Sequence, residues 1–280
     1  MKFANLKRLT LMLVVAAISS ACSTTDSGRK QLTLMSDQQL ELQAKQTYEM
    51  MRANMPLVKD QNKIDYVACV ANALVEVMEG DAQDMYWELA IFDQPAENAM
   101  VMAGGKISVF DGILKITENQ HQLAAVLGHE MAHATARHTN ERATRSAMTS
   151  AVVDWGALVF GTGSYYDPTR GVYRQGNRQG IYTLGKSLED LGINRPFSRM
   201  HETEADEIGM IYMAKAGFDP RESVNLWKNM ADASKVKIPE MMSTHPSEET
   251  RLEAHIAQLP EALVIYNEAK AQGREPQCER

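Results

Sequence analysis

The body of this sequence has no hydrophobic run long enough to cross a membrane. The apolar stretch from Leu9 to Ile18 is about half the roughly twenty residues that a spanning helix needs, so it is too short for a stable membrane-spanning helix. The body has no basic run either, and the formal net charge is −7, so nothing favours nucleic acid as a partner. No internal repeat and no second hydrophobic-core boundary occurs, which leaves residues 36–280 as a single domain. What remains is ordinary globular composition, 44% hydrophobic and 23% charged over 280 residues.

Cysteine is scarce, with three in the chain, and the first closes an export-like leader. Lys2, Lys7 and Arg8 precede the apolar run, and Ser19-Ser20-Ala21-Cys22 follows it. A charged start, a short apolar core and small residues predict a secretory signal peptide over residues 1–21. Ser20-Ala21-Cys22 resembles the cleavage box of bacterial lipoproteins, in which the cysteine is lipidated and becomes the mature N-terminus. Ser19 stands where that box usually has leucine, and ordinary signal cleavage with a free or bonded Cys22 is the alternative. Ser23 after the cysteine, rather than Asp, matches the sorting pattern for the outer membrane. The expectation is a periplasmic, outer-membrane-anchored lipoprotein of a Gram-negative bacterium. With Cys22 lipidated, Cys69 and Cys278 remain to pair in an oxidising compartment. Their bridge would close a loop of about two hundred residues and stabilise the fold by at most about 5 kcal/mol. Two unpaired thiols are the alternative.

Periodicity sets the coarse architecture. Residues 22–35 read as a polar tether. Ser36 caps a helix running to about Asn54, stopped by Pro56. Asn62 to Val77 carries Ile64, Val67, Val70, Leu74 and Val77 at helical spacing. Met85 to Phe92 alternates as a strand, and Asn98 to Met102 and Lys106 to Phe110 form two more around Gly104-Gly105. Helices are then expected from Asn119 to His138, Glu141 to Phe160, Met200 to Ala216, Arg221 to Met230, Ser247 to Gln258 and Glu261 to Ala271. The glycine-rich stretch 161–185 reads as a long surface loop, either a lid or disordered. The fold class is α+β, predominantly α, with a small sheet.

The chemistry is announced by His129-Glu130-Met131-Ala132-His133. Histidines at i and i+4 share one helix face, so both imidazoles can reach one zinc ion. Glu130 is turned about 100° away around the helix; it is placed to take a proton from a metal-bound water rather than to ligate. Gln122 to Leu127 before the motif and the alanines flanking it make a good helix with an apolar face, unlike a surface helix with two solvated histidines.

Catalytic zinc usually takes three protein ligands and leaves one position for water. The elongated motif would place a third histidine at Thr139, with glycine at Ala136; His138 is one residue short, which disfavours it as a ligand. His201-Glu202-Thr203-Glu204-Ala205-Asp206 is the better source. Glu202 and Asp206 lie four apart on a predicted helix, so Glu202 can ligate while Asp206 accepts the outer ring N–H of a ligand histidine. Glu204 should point elsewhere.

The run Ser198 to Asp206, with the His129 to His133 motif, resembles the zinc metallopeptidases of the C-a-a-X prenyl protease and HtpX family, most nearly their soluble exported bacterial members. The likeness extends from about Asn62 to His255. It includes Asn98-Ala99-Met100, which matches the family's edge strand beside the active-site cleft. It also includes Ser243-Thr244-His245-Pro246-Ser247 with Arg251, which matches the C-terminal motif. The resemblance implies a zincin-like (gluzincin) core and one zinc ion held by His129, His133 and Glu202. It further implies support from Asp206 and a His245 that faces the metal, either assisting the transition state or capping the ion at rest.

Together these readings predict a zinc-dependent endopeptidase in which Glu130 activates a zinc-bound water. Its substrates would be misfolded or misassembled cell-envelope proteins, docked by main-chain hydrogen bonds at the edge strand. The outer-membrane assembly machinery is the partner this suggests. The rival is a periplasmic chaperone or assembly factor on the same fold, its zinc site mostly closed by His245. Metal binding should weaken in acid, because both histidines must be neutral to ligate.

Overall fold

The computed structural model describes residues 22–25, 27–145, 165–167, 172–174, 198–234, 241, 245 and 249–280. The leader at 1–21 lies outside them, as do 146–160 of the helix expected to reach Phe160 and most of the glycine-rich stretch.

A three-stranded sheet sits between helical layers. Its strands are β3 (Glu88–Phe92), β4 (Ala99–Met102) and β5 (Lys106–Phe110), in the order β3-β5-β4. β3 runs parallel to β5 and β4 antiparallel to it, with Ala99 opposite Val109 and Val101 opposite Ile107. The period of two sends alternate residues to opposite faces. Ile91, Ala99, Val101, Ile107 and Val109 enter the main core. Ala90, Phe92, Met102 and Phe110 enter a second core, closed by Ala44, Tyr48 and Met51 of helix α1 (Asp37–Asn54). Ser36 caps α1 by accepting from the Gln39 amide. Gly104 and Gly105, which turn β4 into β5, both have positive φ, 71° and 75°, where a side chain would be strained.

Helix α2 (Gln61–Val75) and the motif helix α3 (Gln120–Thr135) cover the main-core face of the sheet. Val67, Val70 and Leu74 of α2 are fully buried. Helix α4 (Arg199–Lys215) lies along α3, and α5 (Arg221–Ser234) and α6 (Glu249–Ala271) pack behind them. The C-terminal tail returns to the start of α3. Cys278 is joined to Cys69 of α2 by a disulfide, and its amide donates to Gln120 Oε1 at 2.8 Å.

Four sequence expectations are corrected. The motif helix ends at Thr135 rather than His138, because Arg137 adopts φ 58°; the chain is helical again over 138–145. The two C-terminal helices are one, α6, with Pro260 inside it. Leu259 and Ala262, Ile265 and Tyr266 bury against Met210 and Ala214 of α4 on both sides of the proline, and that packing outweighs the roughly 3 kcal/mol that an internal proline costs. Residues 22–35 are not a simple tether. Cys22–Thr24 (β1) pairs antiparallel with Lys30–Leu32 (β2), and the hairpin docks on the domain through its turn. The stretch 161–185 contains two paired strands, Tyr165–Asp167 (β6) and Val172–Arg174 (β7). No helix among the described residues is long and apolar enough to cross a membrane.

Candidate metal centre

Helix α3 is started by Asn119, whose side chain accepts from the amides of His121 and Gln122. Every residue from Leu123 to His133 except Ala125 is buried, as expected for a helix enclosed on all sides. One turn apart, His129 and His133 look onto α4. There Ser198 caps the helix, Glu202 lies in the first turn and Asp206 one turn further on. His245 arrives from the connection between α5 and α6, its amide donating to Met241 O at 2.8 Å.

These elements bring four buried donors together: His129, His133, Glu202 and His245, their ligand atoms within 4.8 Å of one another. His129 Nε2 lies 3.0 Å from His133 Nε2 and 3.2 Å from His245 Nδ1. Glu202 oxygens lie 3.4 Å from His129 Nε2, 3.6 Å from His133 Nε2 and 3.1 Å from His245 Nδ1. A tetrahedron with metal–nitrogen distances near 2.0–2.1 Å has edges of about 3.3–3.4 Å. The five separations span 3.0–3.6 Å, close enough to that edge for three imidazoles and a carboxylate to gather around one divalent metal.

Glu130 lies beside the group without belonging to it. Its Oε1 is 3.2 Å from His245 Nε2 but has no hydrogen-bond partner, although it is buried. Burial pushes the Glu130 carboxyl up, partly offset by His245 and His129, and a backbone hydrogen bond from Val101 of β4 also opposes the rise. A buried carboxylate that is raised and has an unused oxygen is suited to accept and return a proton.

Charge is organised in layers. Asp206 Oδ1 lies 2.9 Å from His129 Nδ1, and Arg251 clamps the same carboxylate through Nε at 2.7 Å and Nη2 at 2.8 Å. Burial alone would raise Asp206, but the hydrogen bonds from His129, His255 and Arg251 hold it well below the carboxylate range. Arg251 Nη1 also reaches Glu202 at 3.0 Å, and the guanidinium stacks 4.4 Å over Trp227. Glu202 is lowered to about 2: burial opposes ionisation, but contacts from His129 and His245 outweigh it. Burial likewise opposes charging His129, yet Asp206 and Glu202 raise it to about 10, so a metal taking this ring displaces a proton. His133 is driven the other way, by burial and by the neighbouring imidazoles.

The structure thus brings His129, His133, Glu202, His245, Glu130 and Asp206 to one place. Asn98, Ala99 and Met100 lie at the start of β4, the sheet edge beside α3. Asn98 is buried, its Oδ1 accepting from the Ala99 amide at 2.9 Å and its carbonyl from the Phe110 amide at 3.1 Å. A cleft of about 920 Å³ passes His133, lined by Tyr86, Ala103, Gly104 and Arg137 among others. Sequence reasoning missed the support around His133. His138 stands outside the four-donor group: its Nδ1 sits 2.9 Å from His133 Nδ1, and its Nε2 is 3.0 Å from Glu204. The signal was the histidine itself, and it was uninterpretable without the helix break at Arg137. In an unbroken helix, residues five apart point about 140° away from each other.

Fold and site together have the architecture of the zincin-like metallopeptidases, a mostly helical domain with a small sheet and a buried His/Glu group able to hold a metal. The chain belongs to peptidase family M48, whose model matches residues 61–257. The mitochondrial metalloendopeptidase OMA1 of Schizosaccharomyces pombe is 37% identical over 201 residues, 71% of this chain and 54% of its own length. The human mitochondrial metalloendopeptidase OMA1 is 30% identical over 277 residues, 94% of this chain and 50% of its own length. The beta-barrel assembly-enhancing protease of Escherichia coli strain K12 is 27% identical over 269 residues, 89% of this chain and 52% of its own length. The chain therefore spans about half the length of these relatives. The likeness covers mitochondrial as well as bacterial peptidases, a broader group than the exported bacterial members that the motifs suggested.

Proposed function

We propose that this protein is a zinc-dependent endopeptidase of the bacterial cell envelope. The observation that carries the reading is the buried Oε1 of Glu130, which has no hydrogen-bond partner, beside four clustered metal-binding side chains. His129, His133 and Glu202 would hold the ion. When bound, zinc supplies Lewis acidity, polarising the scissile carbonyl and making water acidic enough to lose a proton near neutral pH.

The remaining steps belong to the chain. Glu130 takes a proton at Oε1 and delivers it to the leaving amine. Asp206 fixes His129 in the tautomer that leaves Nε2 free to ligate, and Arg251 holds both Asp206 and Glu202 in place. A substrate segment pairs with the β4 edge at Asn98, Ala99 and Met100 through main-chain hydrogen bonds. The bond between Val101 and Glu130 then brings that segment beside the base. Recognition through the main chain tolerates many sequences, which suits misfolded envelope proteins.

The location rests on the leader pattern over 1–21 and on Ser20-Ala21-Cys22, with Cys22 as the lipid attachment and the outer membrane as the destination. The bacterial relatives named for β-barrel assembly support a role beside the outer-membrane assembly machinery.

A second reading is favoured by His245. Its Nδ1 occupies the fourth corner of the donor group and its Nε2 faces Glu130, an arrangement that closes the site. A chaperone or assembly factor that rarely hydrolyses anything would be built this way. Digestion of unfolded casein by the full chain, with and without chelator, separates the two. The endopeptidase reading expects stoichiometric zinc and chelator-sensitive cleavage. It also expects Glu130→Gln to keep the zinc and lose activity by about 10²–10⁴-fold, and Glu202→Ala to lose the zinc. Cleavage that survives in Glu130→Gln would overturn the assigned base.

A further inference from the structure

The two motif histidines are steadied from behind by different means. His129 meets a carboxylate directly, at Asp206. His133 meets another imidazole, with its Nδ1 2.9 Å from His138 Nδ1. To ligate through Nε2, His133 must carry its proton on Nδ1 and donate it to His138. His138 then carries its own proton on Nε2 and donates to Glu204 Oε2 at 3.0 Å. The hydrogen bonds run in one consistent direction and end on Glu204.

Glu204 is held by the turn of the N-terminal hairpin. Arg29 Nε donates to Oε2 at 2.6 Å, and the hydroxyls of Thr25 and Ser27 donate to Oε1. The same guanidinium donates through Nη2 to Glu141 Oε2 at 2.8 Å. Glu141 in turn contacts His201 Nε2 at 3.1 Å, and His201 stacks on His138 with ring centroids 4.5 Å apart. One side chain from the hairpin therefore steadies both carboxylates that flank the His138 ring. Glu141 and Glu204 have side-chain exposures of 3% and 5%. Glu141 also pairs with Arg145, so the loss of Arg29 falls chiefly on Glu204, a buried carboxylate that would be left without its cation.

We propose that Arg29 is a positioning residue for the metal ligand His133, so that the hairpin formed by β1 and β2 is a working part of the metal centre. This rests on the metallopeptidase reading and extends it to a segment outside the family match, which begins at residue 61. With Arg29 gone, Glu204 can turn from His138, and His133 loses the acceptor that sets its tautomer and tilt.

The test measures zinc affinity of the full chain by competition with a chromogenic chelator, alongside thermal unfolding of the metal-free protein. Arg29→Ala and Glu204→Gln should each weaken zinc binding by about 10–100-fold, the range for losing support behind a ligand histidine. Their combination should be little worse than either alone, and Arg29→Lys should recover part of the loss. At saturating zinc, KM for a peptide substrate should stay unchanged. Wild-type zinc affinity in Arg29→Ala overturns the proposal, as do independent, multiplying losses in the double variant. A loss matched by an equal fall in metal-free stability and not relieved by Arg29→Lys also overturns it. A wild-type chain that binds no zinc fails the metal-centre reading itself, whereas a zinc-binding wild type with an indifferent Arg29→Ala fails this inference alone.

Discussion

Gly128 of α3 and Gly209 of α4 meet backbone to backbone. A Cβ on Gly209 would stand 2.7 Å from the amide nitrogen of His129, and one on Gly128 would stand 2.9 Å from the carbonyl oxygen of Gly209. Neither glycine needs an unusual φ; each is required because any side chain would wedge the helices apart. The close approach puts Glu202 and Asp206 of α4 within reach of imidazoles on α3. Gly209→Ala should therefore cost about 1–3 kcal/mol of stability and reduce bound metal well below one per chain. Thermal unfolding with elemental analysis would check both, and an unchanged metal content would show that the helices can separate without harming the site.

Asp206 joins His129 to Arg251, and all three side chains are buried. Asp206→Asn keeps the shape but removes the charge that Arg251 Nε and Nη2 and His129 Nδ1 face, leaving Glu202 as the carboxylate on Arg251. Zinc affinity should fall by about 10–100-fold, and stability by about 3–5 kcal/mol, as for a buried pair losing one partner. Chelator competition and urea unfolding measure the two losses separately.

His245 stands in the fourth corner of the donor group and against Glu130. If this is a resting cap, His245→Ala opens a coordination position and frees the base. Hydrolysis of an unfolded substrate at saturating zinc should then rise several-fold. A fall would instead mean that His245 assists the transition state.

Glu222 lies in the first turn of α5 and accepts from the side-chain amides of Asn119 and Gln122, each at 2.9 Å, and from Asn225 at 2.8 Å. Burial opposes its ionisation, but these three bonds outweigh it and lower its pKa from 4.5. The folded value is the depressed one. Its stabilisation is therefore present above about pH 4.5 and is lost as pH falls through the folded pKa. Glu222→Gln should be less stable than wild type at pH 7, and the gap should narrow in acid. Urea midpoints across pH 3 to 7 would show this, and a gap independent of pH would remove Glu222 from the acid response.

Some of the site could be read locally. The imidazoles of His129 and His133, and the carboxylates of Glu202 and Asp206, each share a face because 3.6 residues complete a turn wherever the helix lies. Alternation over Met85 to Phe92 marked β3, and Gly104-Gly105 marked the turn between β4 and β5, whereas the short pairs β1–β2 and β6–β7 carried no such pattern. Ser36, Asn119 and Gly217 mark helix ends that are observed. Pro260 misled for the same local reason: a rule about one helix could not know that α4 packs on both sides of the proline.

What the chain determined by itself is a set of amphipathic segments and two metal-binding half-motifs, because periodicity and capping depend on residues within a few positions of one another. Tertiary structure decided the rest. The meeting of Gly128 with Gly209, the return of His138 to His133 through the positive φ of Arg137, and the seating of Arg29 on Glu204 all join residues through three-dimensional packing. Such contacts depend on which surfaces fit together once the helices have formed, and no local pattern encodes that fit.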